Sequence, residues 1–210
     1  FNYLIAKKNG GDFILRIEDT DAKRTVLGAE DHIKDSLKWL GLKFDEGPIK
    51  QSERKSLYKK CVEELIKKGL AYYAFDSAAE LESARKESNG EFKYNYETRK
   101  SMINSFTVSE EEIKNRVERG GYVIRMVVSE KETITVNDEI RGSLKFNSNE
   151  IEDKVIMKSD GMPTYHFANV VDDHDMKITS VVRGEEWLSS LPSHITLYNH
   201  FGWSPPKFYH

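Results

Sequence analysis

A single cysteine, Cys61, stands among the 210 residues. That scarcity excludes an internal disulfide and any zinc site built from several cysteines, and it fits a cytosolic setting. Leu57, Cys61 and Leu65 step along one face of a helical pattern, so Cys61 reads as a packed core residue rather than a nucleophile. No apolar run approaches the length needed to span a membrane, and neither an internal repeat nor a low-complexity linker interrupts the chain. Charge of one sign is also missing: the net charge is -3, which neither requires nor excludes a nucleic-acid partner, because a local basic surface matters more than the total. The composition that remains, 38% hydrophobic and 32% charged, is that of an ordinary soluble globular protein. The start, Phe1-Asn2-Tyr3-Leu4-Ile5-Ala6-Lys7-Lys8-Asn9-Gly10-Gly11, lacks Met and reads as the closing turns of a glycine-capped helix. An excised fragment is expected.

The chain alternates strand and helix signals. Phe13 to Ile17 is a short apolar run bounded by Gly10-Gly11 and an acidic cluster, and it predicts a buried strand. Ala29, Ile33, Leu37 and Leu40 recur at helical spacing between Val26 and Leu40. Ser52 stands as an N-cap before a second helix through Cys61 and Leu65 to Gly69, and Leu70 to Phe75 follows as a strand. Between about Ala71 and Lys158 the pattern shifts to short helices and to strands at Tyr122–Val128, Thr133–Val136 and Ser143–Phe146. Ser77 with Glu80 and Ser109 with Glu112 have capping-box spacing. Asn89 to Asn104, with Tyr94, Tyr96, Arg99 and Lys100, fits a docked loop better than a nucleic-acid surface. A strand at Ile178–Val182 and a helix at Pro192–Phe201 resume the first pattern. The expected fold class is α/β, with a smaller unit inserted.

The densest polar set lies between Lys158 and His174. Asp160-Gly161 supplies a turn, Pro163 suits the first turn of a helix, and Tyr165 and Asn169, four apart, then share one helical face. A ligand-bearing face and a plain surface helix with solvated Asp172, Asp173 and His174 both remain open on this pattern alone. Two strand ends add to it, because ligands in open α/β sheets collect beyond the carboxyl ends of strands. At the first, strand alternation puts Arg16 and Glu18 on one side, and the crowded Glu18, Asp19 and Asp21 need cations, caps or arginines as partners. Glu18 suits a substrate ammonium; Asp19 suits a nearby arginine, and Asp21 a turn or cap. At the second, the planar guanidinium of Arg183 suits a carboxylate, and Glu186 and Trp187 offer either a ribose acceptor with a stacking ring or a plain helix start. Together these describe a pocket for an amino acid, particularly an acidic one.

These residues resemble a known family. Phe1-Asn2-Tyr3, Arg16 to Asp21, Trp39-Leu40-Gly41-Leu42 with Asp45-Glu46-Gly47-Pro48, Gln51-Ser52-Glu53-Arg54, Asp160 to His174 and Arg183-Gly184-Glu185-Glu186-Trp187 match, in order and spacing, the middle of bacterial-type glutamyl-tRNA synthetases, class I aminoacyl-tRNA synthetases. The resemblance implies a Rossmann-like parallel-sheet catalytic domain in residues 1–70 and 156–210. A connective, acceptor-stem-binding α+β insertion would occupy 71–155. It implies that Glu18 holds the substrate amino group, that Tyr165, Asn169 and Arg183 line the glutamate site, and that Glu186 and Trp187 lie against ATP. Asp21, Arg24 and Lys158 would face the tRNA 3′ end. The implied reaction is ligation: L-glutamate is activated with ATP and Mg²⁺ to glutamyl-adenylate, then transferred to the 3′ end of tRNA(Glu), in a cytoplasmic enzyme expected to be a monomer. No residue is assigned as catalytic or as a metal ligand.

The chain departs from the family in three ways. The family's His-Ile-Gly-His-type signature and Lys-Met-Ser-Lys-Ser-type loop would flank these residues and are not among them, so the fragment alone is expected not to complete adenylation. The cysteine-rich zinc site of some relatives has no counterpart, so no structural zinc is expected. The anticodon-binding region is missing as well. A glutamyl-queuosine tRNA(Asp) synthetase-like paralogue is the enzyme alternative, disfavoured by the cysteine-free insertion, and a non-catalytic module gripping a tRNA acceptor stem is the binding alternative. Asp172, Asp173 and His174 as ligands of a hydrolytic metal fit poorly, since adjacent helical residues diverge by about 100°.

Overall fold

The computed structural model describes residues 1–21 and 26–210, which divide into two compact units, Phe1–Ser56 and Leu57–His210. The first unit opens with α1 (Asn2–Lys8), as the glycine-capped start predicts, and continues with β1 (Ile14–Ile17), α2 (Ala29–Trp39) and β2 (Glu46–Lys50). Helix α2 begins three residues later than the apolar spacing predicts, because Gly28, at its N-cap, takes a left-handed φ of 81°. Strand β2 has no counterpart among the sequence expectations. It pairs in parallel with β1, Arg16 opposite Ile49 and Ile17 opposite Lys50. Its apolar content is one Pro and one Ile, too little for a periodicity signal. Ser52 is not an N-cap. It sits inside a 3-10 turn, Gln51–Arg54, leading into α3 (Lys55–Lys67), and its backbone N–H and hydroxyl both donate to Asp19, at 2.8 and 2.6 Å. Asp19 is thereby a clamp on the loop after β2.

In the second unit, β3 (Ala71–Ala74) pairs antiparallel with β4 (Val123–Met126), which pairs antiparallel with β7 (Val155–Met157). A four-stranded sheet has the order β6 (Gly142–Asn147), β5 (Thr133–Asp138), β9 (Lys207–Tyr209), β8 (Ser180–Val182). β5 and β6 form an antiparallel hairpin; β9 runs parallel to both β5 and β8. Asp138 opposes Phe208 in that pairing, so the hairpin shares a sheet with strands from beyond residue 155. The core joins Tyr58, Cys61, Val62 and Leu65 of α3 to Phe167, Val170 and Val171 of α6 (Tyr165–Asp175), and to Leu191, Ile195, Leu197 and Tyr198 of α7 (Leu191–Phe201). Burial pushes the Cys61 thiol up to about 11, the state of an inert packed residue.

Both helix starts in the middle region form, with different chemistry. At α4 (Ala78–Glu87) Ser77 and Glu80 exchange both bonds of a capping box, whereas at α5 (Glu110–Arg119) Ser109 accepts from the Glu112 N–H while the Glu112 carboxylate turns to Arg116 at 2.7 Å. The segment between them is a docked loop. Tyr94 and Tyr96 are buried, the Tyr94 hydroxyl donates to Asp76, the Arg125 guanidinium lies 3.9 Å from the Tyr94 ring centre, and Arg99 pairs with buried Asp153 at 2.9 Å. Among the described residues no helix is long and apolar enough to cross a membrane.

Candidate functional site

Local sequence builds the start of α6 as expected. Asp160 accepts the Met162 N–H at 2.9 Å, Gly161 adopts φ 76°, and the Thr164 hydroxyl donates to the Val155 carbonyl at 2.7 Å, so α6 opens at Tyr165. Tyr165 and Asn169 then share a face, Asn169 buried and Tyr165 half-buried. Asp172 is not a solvated acid. Its side chain is buried and accepts the Tyr58 hydroxyl at 2.8 Å, which joins α6 to α3. His174 stacks on Trp203, rings 3.7 Å apart and 2° from parallel. Among the described residues no cluster of three histidine, cysteine or acidic side chains suits a metal ion.

Arg183 follows directly on β8 and its backbone N–H donates to the Tyr209 carbonyl at 3.1 Å. Its guanidinium is the hub of the site. Nε donates to Nε2 of His210 at 2.8 Å; Nη1 lies 3.3 Å from the Tyr165 hydroxyl and 3.5 Å from Nδ1 of His194. Nη2 is buried and has no hydrogen-bond partner among the described residues. A buried charged donor without a partner costs on the order of 1–3 kcal/mol, which a carboxylate oxygen from a ligand would recover. The Tyr165 ring also lies 4.8 Å from the ring of Trp187, itself 39% exposed. Glu186 is exposed beside it, its carboxylate folded back over Gly184.

Three histidines surround this hub, and sequence reasoning assigned a role to none. His166 Nδ1 lies 3.2 Å from His194 Nε2, and His210 Nδ1 lies 2.8 Å from Asp138 Oδ2. Burial pushes His166 down to about 4, with Lys154 and Arg183 adding to it; burial, then Arg183, His166 and His210, holds His194 well below the usual imidazole range. Burial would raise the Asp138 carboxyl, but hydrogen bonds from His210 and from the N–H groups of Arg141, Ile140 and His210 hold it lowered. No periodicity links Asp138 to His210, 72 residues on.

The other expected residues fall as follows. Glu18, in the first unit, is exposed and 3.3 Å from Arg16, on the same strand side as alternation predicts. Lys158 pairs with Asp160 at 3.3 Å, and Asp21 is half-buried. Arg24 lies outside the described residues.

Known proteins resemble this chain throughout. The family described as tRNA synthetases class I (E and Q), catalytic domain, matches residues 1–210. The glutamate–tRNA ligase of Azobacteroides pseudotrichonymphae genomovar. CFP2 is 55% identical over 214 residues, covering 100% of this chain and 43% of the relative. That of Parabacteroides distasonis is 53% identical over 222 residues, covering 100% and 44%. A crystal structure of a glutamate tRNA ligase from Elizabethkingia meningosepticum CCUG26117, in complex with its amino acid, superposes with a TM-score of 0.94 at 49% identity, covering 100% of this chain and 44% of that one. The chain thus spans less than half the length of these relatives. Its mixed α/β architecture with parallel strand pairs is the Rossmann-like fold of such a domain. With the whole of its length matched by that family, the chain belongs to the tRNA synthetases class I (E and Q), as catalytic-domain sequence.

Proposed function

We propose that this chain is the glutamate-handling core of a glutamate–tRNA ligase. In the first step an oxygen of the L-glutamate α-carboxylate attacks the α-phosphorus of ATP and pyrophosphate leaves. In the second, a hydroxyl of the terminal ribose of tRNA(Glu) attacks the acyl carbon and AMP leaves. The observation that carries the reading is the buried Nη2 of Arg183, without a hydrogen-bond partner among the described residues, beside the Tyr165 hydroxyl. The α-carboxylate loses its charge on adenylation, so a fixed guanidinium serves both steps only if it holds the carboxylate that persists, that of the side chain. Tyr165 and Asn169 would line the same pocket and Glu18 would hold the ammonium. Trp187 and Glu186 would take the adenosine. Asp21, Arg24 and Lys158 would meet the tRNA 3′ end. ATP would arrive with Mg²⁺, for which no residue here is assigned, and positioning with charge stabilisation would supply most of the rate.

Three further assignments belong to this reading: a catalytic domain in residues 1–70 and 156–210 around an acceptor-stem-binding insertion at 71–155, a monomeric state, and a cytoplasmic setting without structural zinc. They follow the family resemblance. The test is glutamate-dependent ATP–pyrophosphate exchange by the full-length protein with tRNA present. Arg183→Ala should raise KM for glutamate about a hundredfold, with KM for ATP within about twofold, as loss of a desolvated charge pair implies. Equal losses for both ligands would mean that Arg183 does not read the amino acid.

A further inference from the structure

A guanidinium recognises a carboxylate by geometry only if its plane cannot turn, and the groups on the far side of Arg183 fix that plane. Arginine can only donate, so both ring nitrogens that face it must accept. His210 therefore carries its hydrogen on Nδ1, where Asp138 Oδ2 receives it at 2.8 Å. His194 likewise accepts at Nδ1, so it carries its hydrogen on Nε2 and donates to Nδ1 of His166. Each hydrogen along this chain of contacts then has one direction.

The side chains of Asp138 and His210 are both 0% exposed. The remaining oxygen of Asp138 accepts the N–H groups of Ile140 and Arg141, each at 2.9 Å, so the carboxylate is fixed by the turn that follows β5. The pairing of Asp138 with Phe208 sets the distance between that turn and His210. Phe208 also lies under the guanidinium, 5.8 Å from ring centre to Cζ. The Nε edge of Arg183 is thus occupied, and Nη2, without a partner among the described residues, is left for a ligand.

We propose that Asp138 and His210 are positioning residues for Arg183: the carboxylate sets the tautomer and ring plane of His210, and His210 sets the guanidinium plane that reads the substrate carboxylate. This rests on the reading of Arg183 as the amino-acid receptor. Recognition of the substrate carboxylate then depends on a residue of the β5–β6 hairpin, 45 positions before Arg183.

Asp138→Asn separates this from simple structural support. The amide keeps the shape and keeps an oxygen for the two backbone N–H groups. It turns its NH₂ toward His210, however, so Nδ1 must accept, Nε2 must carry the hydrogen, and that N–H then opposes the N–H of Arg183. In the full-length protein, KM for glutamate should rise about ten- to hundredfold with KM for ATP within about twofold, as expected for losing a charge-assisted hydrogen bond. His210→Gln, which offers an oxygen acceptor near the position of Nε2, should keep more glutamate affinity than His210→Phe. A folded Asp138→Asn protein with an unchanged glutamate KM, or with both KM values raised alike, overturns the proposal. NMR of the 210-residue chain tests the dyad without turnover: wild type should show the Nδ1–H tautomer of His210 and a protected Arg183 Nε–H, and Asp138→Asn should lose both. Absence of glutamate-dependent exchange in the wild-type protein would defeat the functional reading instead, while the NMR result would still stand for or against the dyad.

Discussion

Residues 1–56 and 57–210 use the same kinds of element and hold them by different means. In the second unit α3 lays Tyr58, Cys61, Val62 and Leu65 into a core shared with α6 and α7. In the first, α2 shows an equally amphipathic spacing and buries none of its residues; Leu27 and Trp39 are 101% and 85% exposed, and the buried described residues are polar, Thr20 and Gln51. What holds the first unit is directional. Asp45 accepts the Phe13 N–H at 2.8 Å and Lys7 Nζ at 2.6 Å, Asp19 clamps Ser52, and β1 pairs with β2. Apolar periodicity therefore specifies a helix and its sticky face without specifying what covers that face.

The strongest way to break this contrast is Phe167→Ala, since Phe167 is fully buried between α6 and α7. It should cost about 3–5 kcal/mol in urea unfolding of the 210-residue chain. A loss under about 1 kcal/mol would mean the second unit does not depend on its core. The matching change in the first unit is Gly47→Ala. Gly47 adopts φ 107°, and a Cβ there would overlap the carbonyl oxygen of Leu15 on the neighbouring strand. The expected cost is about 1–3 kcal/mol, combining a strained backbone with the parting of β1 from β2. It should be read as faster amide exchange in residues 14–17 and 46–50, with exchange in the second unit's core unaltered. Uniform acceleration across both units would show that backbone fit at this position is not a local matter.

Legibility in the sequence follows the same division. Every element whose signal is periodic, such as α2, α3 and α7, or carried by short-range chemistry, such as the Ser77 cap and the Asp160 turn, was readable from its own residues. Strand β2 was not, because Glu46-Gly47-Pro48-Ile49-Lys50 carries no alternation and earns its place by pairing with β1. The placement of Tyr165 and Asn169 on one face of α6, and of Arg183 at the end of β8, was legible because helix spacing and a strand end announce those positions. His210 and His194 were not: the partners of a guanidinium are chosen by sheet register and helix packing across 27 and 11 residues of sequence, and no local pattern records that choice. Ser52 shows the reverse error, a residue with perfect N-cap chemistry whose hydroxyl was claimed by a distant carboxylate.

The smallest expected effect tests the exposed face of α2 itself. Trp39 closes that helix and lies 85% in solvent, with Leu40 beside it at 58%. Trp39→Ser removes a large ring that contributes almost no burial, so the unfolding free energy should change by no more than about 0.5 kcal/mol. The spectroscopic consequence is larger. Trp203 stacks against Phe201 at 3.9 Å and Trp187 is partly covered by Tyr165, so the fluorescence lost on substitution should be the most red-shifted and most easily quenched part of the wild-type emission. A blue-shifted, quencher-resistant difference spectrum, together with a destabilisation above about 1 kcal/mol, would show that α2 finds a covering surface in solution. The two units would then be stabilised alike, by burial.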